Sequence, residues 1–365
     1  MTTAFFHDER SLWHAGGNYA FTLPVGGLVQ PGAGLPESPE SKRRLVNLLR
    51  VTGLIDDMAA QSAPEATRED LQRVHTAAYL DSFKAASDAG GGELGRRTPF
   101  GPGGYEIAAL SAGLARGALF SVLEGRAENA YALSRPPGHH CLPDWPNGFC
   151  LLNNIGVAIR AAQAAGLARR IAVVDWDVHH GNGTEAVFWT DPDVLTISLH
   201  EEHNYPLTSG DADARGEGAG EGFNVNIPLP SGTGHAGYLE AFDRLVEPLI
   251  RRFEPEAIVV ACGYDASVYD PLGRMLATAE TYRALTARTK ALARDLCAGR
   301  LMLTHEGGYS EAYVPFCGHA VLEVLSGSAR HAADPMAEIV AARQPRPAWQ
   351  AHVSDQIGQL AGLFL

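Results

Sequence analysis

The sequence predicts a single α/β domain, a parallel β-sheet flanked by helices on both faces. Three observations lead there. Short Val/Ile/Leu-rich runs alternate with longer amphipathic stretches along all 365 residues, the pattern of strands alternating with helices. The short runs are continuously apolar, as strands buried on both faces of a parallel sheet are. No Pro/Gly/Ser-rich linker divides the chain, so 1–365 reads as one domain, with its core at about 40–327 and a tail at 328–365.

The elements follow in order. Strands are expected at Thr3–Phe6, Ala130–Leu133, Ile171–Val174, Val194–Leu199, Val225–Ile227, Ala257–Ala261 and Arg300–Leu303. Helices are expected at Pro39–Val51, Leu71–Ser87, Glu106–Leu123, Asn154–Ala165, Gly237–Phe253 and Ala279–Ala298, with a last one at Trp349–Leu363. Ser38 before Pro39 suits an N-cap and first turn, and Thr278 followed by Glu280 suits another helix start. Tyr19–Glu37 and Glu202–Gly222 are long and rich in Gly or acidic residues. Loops of that length inside a compact domain are commonly lids or binding loops.

Composition narrows the function classes. Gly is high, 40 of 365 residues or about 11% against a usual ~7%, which implies many tight turns. A net charge of −13 argues against nucleic acid, whose binding rests on clustered Lys and Arg. The five Cys are odd in number and lack CxxC spacing, which disfavours a disulfide framework or a structural zinc module. Met1 to Asn18 contains His7, Asp8, Glu9 and Arg10 rather than a secretory apolar run, and no uninterrupted apolar run reaches the length of a membrane span. The expectation is a cytoplasmic protein with no membrane partner, assembling as a homo-oligomer, a dimer or tetramer.

Polar residues gather at the strand exits. Ala130–Leu133 runs into Arg135-Pro-Pro-Gly-His139-His140, and Ile171–Val174 into Asp175-Trp-Asp177-Val-His179-His180-Gly-Asn182-Gly. Ala257–Ala261 runs into Gly263-Tyr-Asp265, and Arg300–Leu303 into His305-Glu-Gly-Gly-Tyr309. Ligands of open parallel sheets bind outside the carboxyl ends of the strands. Asp175, Asp177 and His179 alternate, so in extended chain they share one face at roughly 6.5 Å per pair. Asp177, His179 and Asp265 make two carboxylates and one imidazole, a three-ligand set that leaves a metal position open for substrate. An isolated Asp-x-Asp-x-His serves about as often as a turn or cap. The three other loaded exits favour the metal. Zinc suits the set, and Fe²⁺ or Co²⁺ would fit the same ligands.

Arg135–His140, Gly148-Phe149-Cys150 with Asn153-Asn154, Asp175–Gly183, Gly263–Asp265 and Gly307–Tyr309 together resemble the signature blocks of the histone deacetylase family. The resemblance runs from about residue 40 to 320, and Asn182 makes it more similar to the class II branch. It implies the arginase/deacetylase fold and zinc-dependent hydrolysis of the amide of a small acylated amine or acyl-lysine. By resemblance, Asp177, His179 and Asp265 hold one catalytic Zn²⁺. His139 and His140 are the tandem catalytic histidines, with Asp175 and Asn182 as their partners, and Tyr309 stabilises the oxyanion. Gly148, Phe149, Tyr205 and Leu272 would bind substrate: Phe149 and Tyr205 as walls, Gly148 through its carbonyl, Leu272 at the rim. Two structural K⁺ ions are also implied, one at Asp175, Asp177, His179, Ser198 and Leu199, the other at Phe188, Asp191, Val194 and Phe223.

Blander readings stand beside these. A His-His pair is often one structural and one exposed ring, Cys150 reads as a packed thiol, and Trp176 should point into the core. The stretch Thr98–Glu106 carries no acid ahead of its glycines, where family members acting on peptides tend to have one. The rival functions are an acetylpolyamine amidohydrolase, which acidic residues at the rim would favour, a two-manganese ureohydrolase, which needs more Asp ligands, and a silent acetyl-lysine binder, against which Tyr309 speaks.

Overall fold

The computed structural model describes residues 2–365. Eight strands form one sheet: β1 (Ala4–Phe6), β2 (Ala59–Gln61), β3 (Asn129–Ala132), β4 (Ile171–Asp175), β5 (Val194–Glu201), β6 (Asn224–Leu229), β7 (Ala257–Cys262) and β8 (Leu301–His305). Their spatial order is β6-β5-β4-β7-β8-β3-β1-β2, and every pairing is parallel.

Both faces are buried, and successive residues divide between them. On β4, Ala172 and Val174 join one apolar cluster while Ile171 and Val173 join the other. The first cluster packs under α1 (Glu40–Thr52) and under two helices that flank β8 in sequence, Ala279–Cys297 and Val314–Ser326. The second packs under Gly104–Leu123 and Asn154–Ala164. Gly104–Leu123 is long and apolar enough to cross a bilayer, but 67% of its most apolar stretch is buried inside the protein. It is a core helix, covering the sheet on one side and Asn154–Ala164 on the other.

The seven expected strands all form. The eighth, β2, is an edge strand of three exposed residues, too short to carry a hydrophobic pattern. The helix at Ala279–Cys297 starts with a capping box, Thr278 and Thr281 each bonding the other's backbone. At α1, Pro39 takes the cap position and Ser38 Oγ accepts from Glu40 N at 3.3 Å. The expected helix Leu71–Ser87 is two helices, Arg68–Gln72 and Ala77–Asp88, because Thr67 and Thr76 each cap a new start. The expected helix Gly237–Phe253 begins at His235 and passes through a π turn at Phe242–Val246. Three helices lay outside the sequence reading: Asn182–Phe188, Val314–Ser326 and Ala337–Ala342.

The ends of the chain belong to the same body. β1 lies inside the sheet, between β2 and β3. The last helix, Pro347–Phe364, buries Val353, Ile357 and Phe364 in the main core. All five cysteines are buried and unpaired.

β4 and β7 are neighbours, yet the chain leaves β4 toward β5 on one side and β7 toward β8 on the other. That reversal opens a crevice at their carboxyl ends, the place where such sheets bind ligands.

Candidate active site

The crevice collects the polar strand exits. Asp175 ends β4, and the chain beyond it carries Asp177 and His179 on one side while Trp176 turns into the core at 1% exposure. Beyond β7, Asp265 comes back toward them. Asp177, His179 and Asp265 can bring one ligand atom each to within 4.8 Å of one another. The backbone fixes both carboxylates: Gly307 N donates to Asp177 Oδ2 at 2.8 Å, and Val178 N to Asp265 Oδ1 at 2.8 Å.

Three features make the cluster fit a divalent cation. Asp265 Oδ2 is buried without a hydrogen-bond partner, although His179 Nδ1 lies 3.1 Å away out of bonding geometry. Burial should lower the His179 pKa, yet the Asp265 and Asp177 carboxylates raise it to about 10. The pocket therefore calls for positive charge. Space is also kept clear around the carboxylates, since a Cβ on Gly307 would lie 2.0 Å from Asp265 Oδ2, and one on Gly263 2.2 Å from Asp177 Oδ2.

The two histidines after β3 are held differently. His139 Nδ1 lies 2.9 Å from Asp175 Oδ2; burial opposes its charge, but Asp177 and Asp175 lift its pKa to about 10. His140 Nδ1 lies 2.8 Å from Asn182 Oδ1, a neutral partner. Burial first, then the charges on His139 and His179, push the His140 pKa well down. One ring is set up to carry charge and its neighbour to stay neutral.

A cavity of about 190 Å³ opens over this cluster, lined by His140, Gly148, Phe149, His179, Tyr205, Leu272 and Tyr309. Phe149 meets Tyr309 edge-on at 5.6 Å, and Tyr205 meets His140 edge-on at 5.1 Å. Gly148 has φ +51°, and a Cβ there would strike His140 Cδ2 at 2.5 Å and Tyr205 Cε1 at 2.9 Å. Only glycine lets the wall come this close to the His140 ring.

Compared with known proteins, residues 35–325 match the histone deacetylase domain. The chain is 54% identical to a histone deacetylase-like amidohydrolase of Pseudomonas aeruginosa over 99% of its length and 96% of the relative's. The chain belongs to the histone deacetylase family. A family member further off, histone deacetylase 8 of Arabidopsis thaliana, is 38% identical across 83% of this chain and 82% of its own. The crystal structure of the HDA15 HD domain superposes with a TM-score of 0.81 at 33% identity, covering 100% of this chain and 99% of that one. The family's α/β fold is thus the fold of this chain.

The site of this histone deacetylase family member also uses residues that sequence reasoning passed over. Glu306 is fully buried and accepts from Gly138 N at 2.7 Å and His139 N at 3.1 Å, anchoring the His-His turn. Burial raises its carboxyl to about 7 against the pull of the His139 charge. Asp270 accepts from Leu272 N at 2.9 Å and Tyr309 N at 2.7 Å, tying the backbones of the two residues together. Asn204 holds Leu272 O at 3.0 Å and the buried Glu201 at 2.7 Å. An acid close to a motif block, at Glu306 and Asp270, was the signal the sequence carried. The Asn204 link joins distant loops, and nothing local foretells it.

Of the two cation sets, Asp175 and Ser198 are register partners on β4 and β5. Phe188 ends the helix Asn182–Phe188, Val194 begins β5, and Asp191 lies in the short connection between them, its N donating to Phe188 O at 2.9 Å. Phe223 directly precedes β6 and accepts from Thr196 N at 2.9 Å. Cys150 is buried, its thiol pushed far up by that burial, and sits within reach of His139 and Glu306.

Proposed function

We propose that the protein hydrolyses the amide of acyl-lysine-type substrates with one Zn²⁺ held by Asp177, His179 and Asp265. One observation carries the reading: the three-ligand cluster adjoins, through His179, the cavity that His140 and Tyr309 also line. Zinc there supplies Lewis acidity toward the amide carbonyl and the attacking water.

The rest is the work of the chain's own groups. With Nδ1–H donated to Asn182 Oδ1, His140 keeps a lone pair on Nε2. It removes the water's proton and returns one to the leaving amine. His139, charged against Asp175, places positive potential beside the reacting centre. Burial, with Asp265, Asp177 and Asp270 nearby, raises the Tyr309 pKa far above its ordinary value, so its O–H remains a donor to the developing oxyanion. Phe149 and Tyr205 enclose the substrate methylenes, each worth about 0.8 kcal/mol when buried. The Gly148 carbonyl accepts the substrate N–H, and Leu272 forms the rim. We extend the reading to K⁺ at the two cation sets, whose clustered carbonyls and carboxylates suit a monovalent ion.

The cavity lining contains no Asp or Glu, so nothing there would hold the distal ammonium of an acetylpolyamine. The test is kcat/KM for an acetyl-lysine reporter, a matched acetylated peptide and an acetylated polyamine, with metal content measured in the same preparation. The lysine substrates should lead. A polyamine value more than roughly tenfold higher, about 1.4 kcal/mol of transition-state binding, would overturn the substrate assignment.

A further inference from the structure

Two arginines at the mouth of the cavity have no carboxylate partner among the described residues. Arg96 and Arg97 both line it, and neither guanidinium has a carboxylate within 4.0 Å among the described residues. The chain as a whole carries a net charge of −13, so two cations without a carboxylate at a cavity mouth stand against its overall charge. Their placement is built in. Arg96 O accepts from Gly148 N at 3.0 Å and Arg97 O from Phe149 N at 3.1 Å, so the pair is stitched to the cavity wall. Arg97 has φ +59°, a left-handed conformation that a bulky residue keeps only where its surroundings hold it. Both guanidiniums lie over the Tyr205 ring, at 5.9 and 5.6 Å from its centre. An aromatic face restrains such groups without neutralising them.

We propose that Arg96 and Arg97 bind a carboxylate on the substrate, next to the acylated amine. The inference rests on reading the cavity as the acyl-amine site. Guanidinium forks match carboxylates in paired hydrogen bonds, and the absence of acids in the lining leaves both forks available. The carboxylate has two sources: the free α-carboxylate of an acylated lysine, or an acidic side chain beside it in a peptide. The same pair repels polycations.

The test uses the full-length, metal-loaded protein. The substrates are Nα-blocked Nε-acetyl-lysine with a free α-carboxylate, its α-carboxamide, and two acetyl-lysine peptides differing only by Asp or Asn beside the lysine. At least one acidic member should exceed its neutral match about tenfold in kcat/KM, mainly through KM. The preference should shrink as salt rises. A leading free acid identifies the α-carboxylate; a leading Asp peptide identifies the side chain. In Arg96→Gln/Arg97→Gln the acid-to-neutral ratio should fall toward 1, and Arg96→Lys/Arg97→Lys should keep part of it. Should the Gln variant fail to fold, the wild-type ratios and their salt dependence decide. Equal rates on acidic and neutral members, or a ratio unchanged in the Gln variant, overturn the arginine assignment and leave the hydrolase reading standing. No hydrolysis of any of the four substrates overturns both.

Discussion

His140 and Asn182 are joined by one hydrogen bond, ring Nδ1 to side-chain Oδ1 at 2.8 Å. The neighbouring His139 instead meets a carboxylate, that of Asp175. Two adjacent rings thereby receive opposite electrostatic settings, and the difference between an amide and a carboxylate partner is open to experiment.

Asn182→Asp should raise the His140 pKa, because a carboxylate at that distance favours the charged ring by about one unit or more. A base must be neutral to act, so the acid limb of kcat/KM should move to higher pH. The pH–rate profile is the measurement. A limb that stays in place would show that His140 is not the titrating base.

Tyr309→Phe should cut turnover by roughly 10²–10³, the usual worth of one oxyanion donor, with metal content unchanged. The ring's edge-on packing against Phe149 survives the substitution, so the melting temperature should barely move. Near wild-type turnover on an acetyl-lysine reporter would remove the phenol from the mechanism.

Gly307→Ala should empty the proposed metal site. The added methyl would sit 2.0 Å from Asp265 Oδ2 and 2.6 Å from Asp177 Oδ2, so both ligands must move. Elemental analysis after desalting should show far less than one ion per chain. One tightly held ion would mean the ligands lie elsewhere.

Glu37 predicts an acid-labile core. Its buried carboxylate accepts from Lys42 Nζ at 3.0 Å and Arg135 Nε at 3.1 Å. Burial raises its pKa, but Arg135 and Lys42 together lower it from 4.5 to about 2. The folded value lies below the unfolded one, so this stability is fully present above about pH 4.5 and is lost as pH falls toward 2. Glu37→Gln should cost about 3–5 kcal/mol at pH 7 by leaving two buried cations uncompensated, and less at pH 3. Urea denaturation at both values gives the comparison. An equal cost at both would contradict the coupling.

Much of this was legible because parallel strands advertise themselves. β4 and β7 are runs of buried aliphatic residues, and the acids and histidines come directly after them. Asp177, His179 and Asp265 could be grouped from residue type and position alone, and the structure brings them together. β2 was invisible because three exposed residues at a sheet edge carry no hydrophobic pattern. The break between the helices at Arg68–Gln72 and Ala77–Asp88 was missed because continuous apolar spacing hid the cap at Thr76. Arg96 and Arg97 sit in an irregular loop whose importance comes from its backbone bonds to Gly148 and Phe149, some fifty residues away. Contacts of that range leave no mark in local sequence.

The position of β8 sets an order of assembly. It is the last strand made, yet it lies between β7 and β3, joining three strands on one side to four on the other. Until residue 305 has emerged from the ribosome and inserted, any sheet formed around β7 or β3 ends on a raw inner edge, the kind of edge that pairs with a wrong neighbour. The crevice between β4 and β7 could form earlier, but Glu306, Gly307 and Tyr309 follow β8 and arrive only with it. Hydrolytic competence therefore cannot precede closure of the sheet, and a product truncated before that strand should be an aggregation hazard rather than a weakened enzyme.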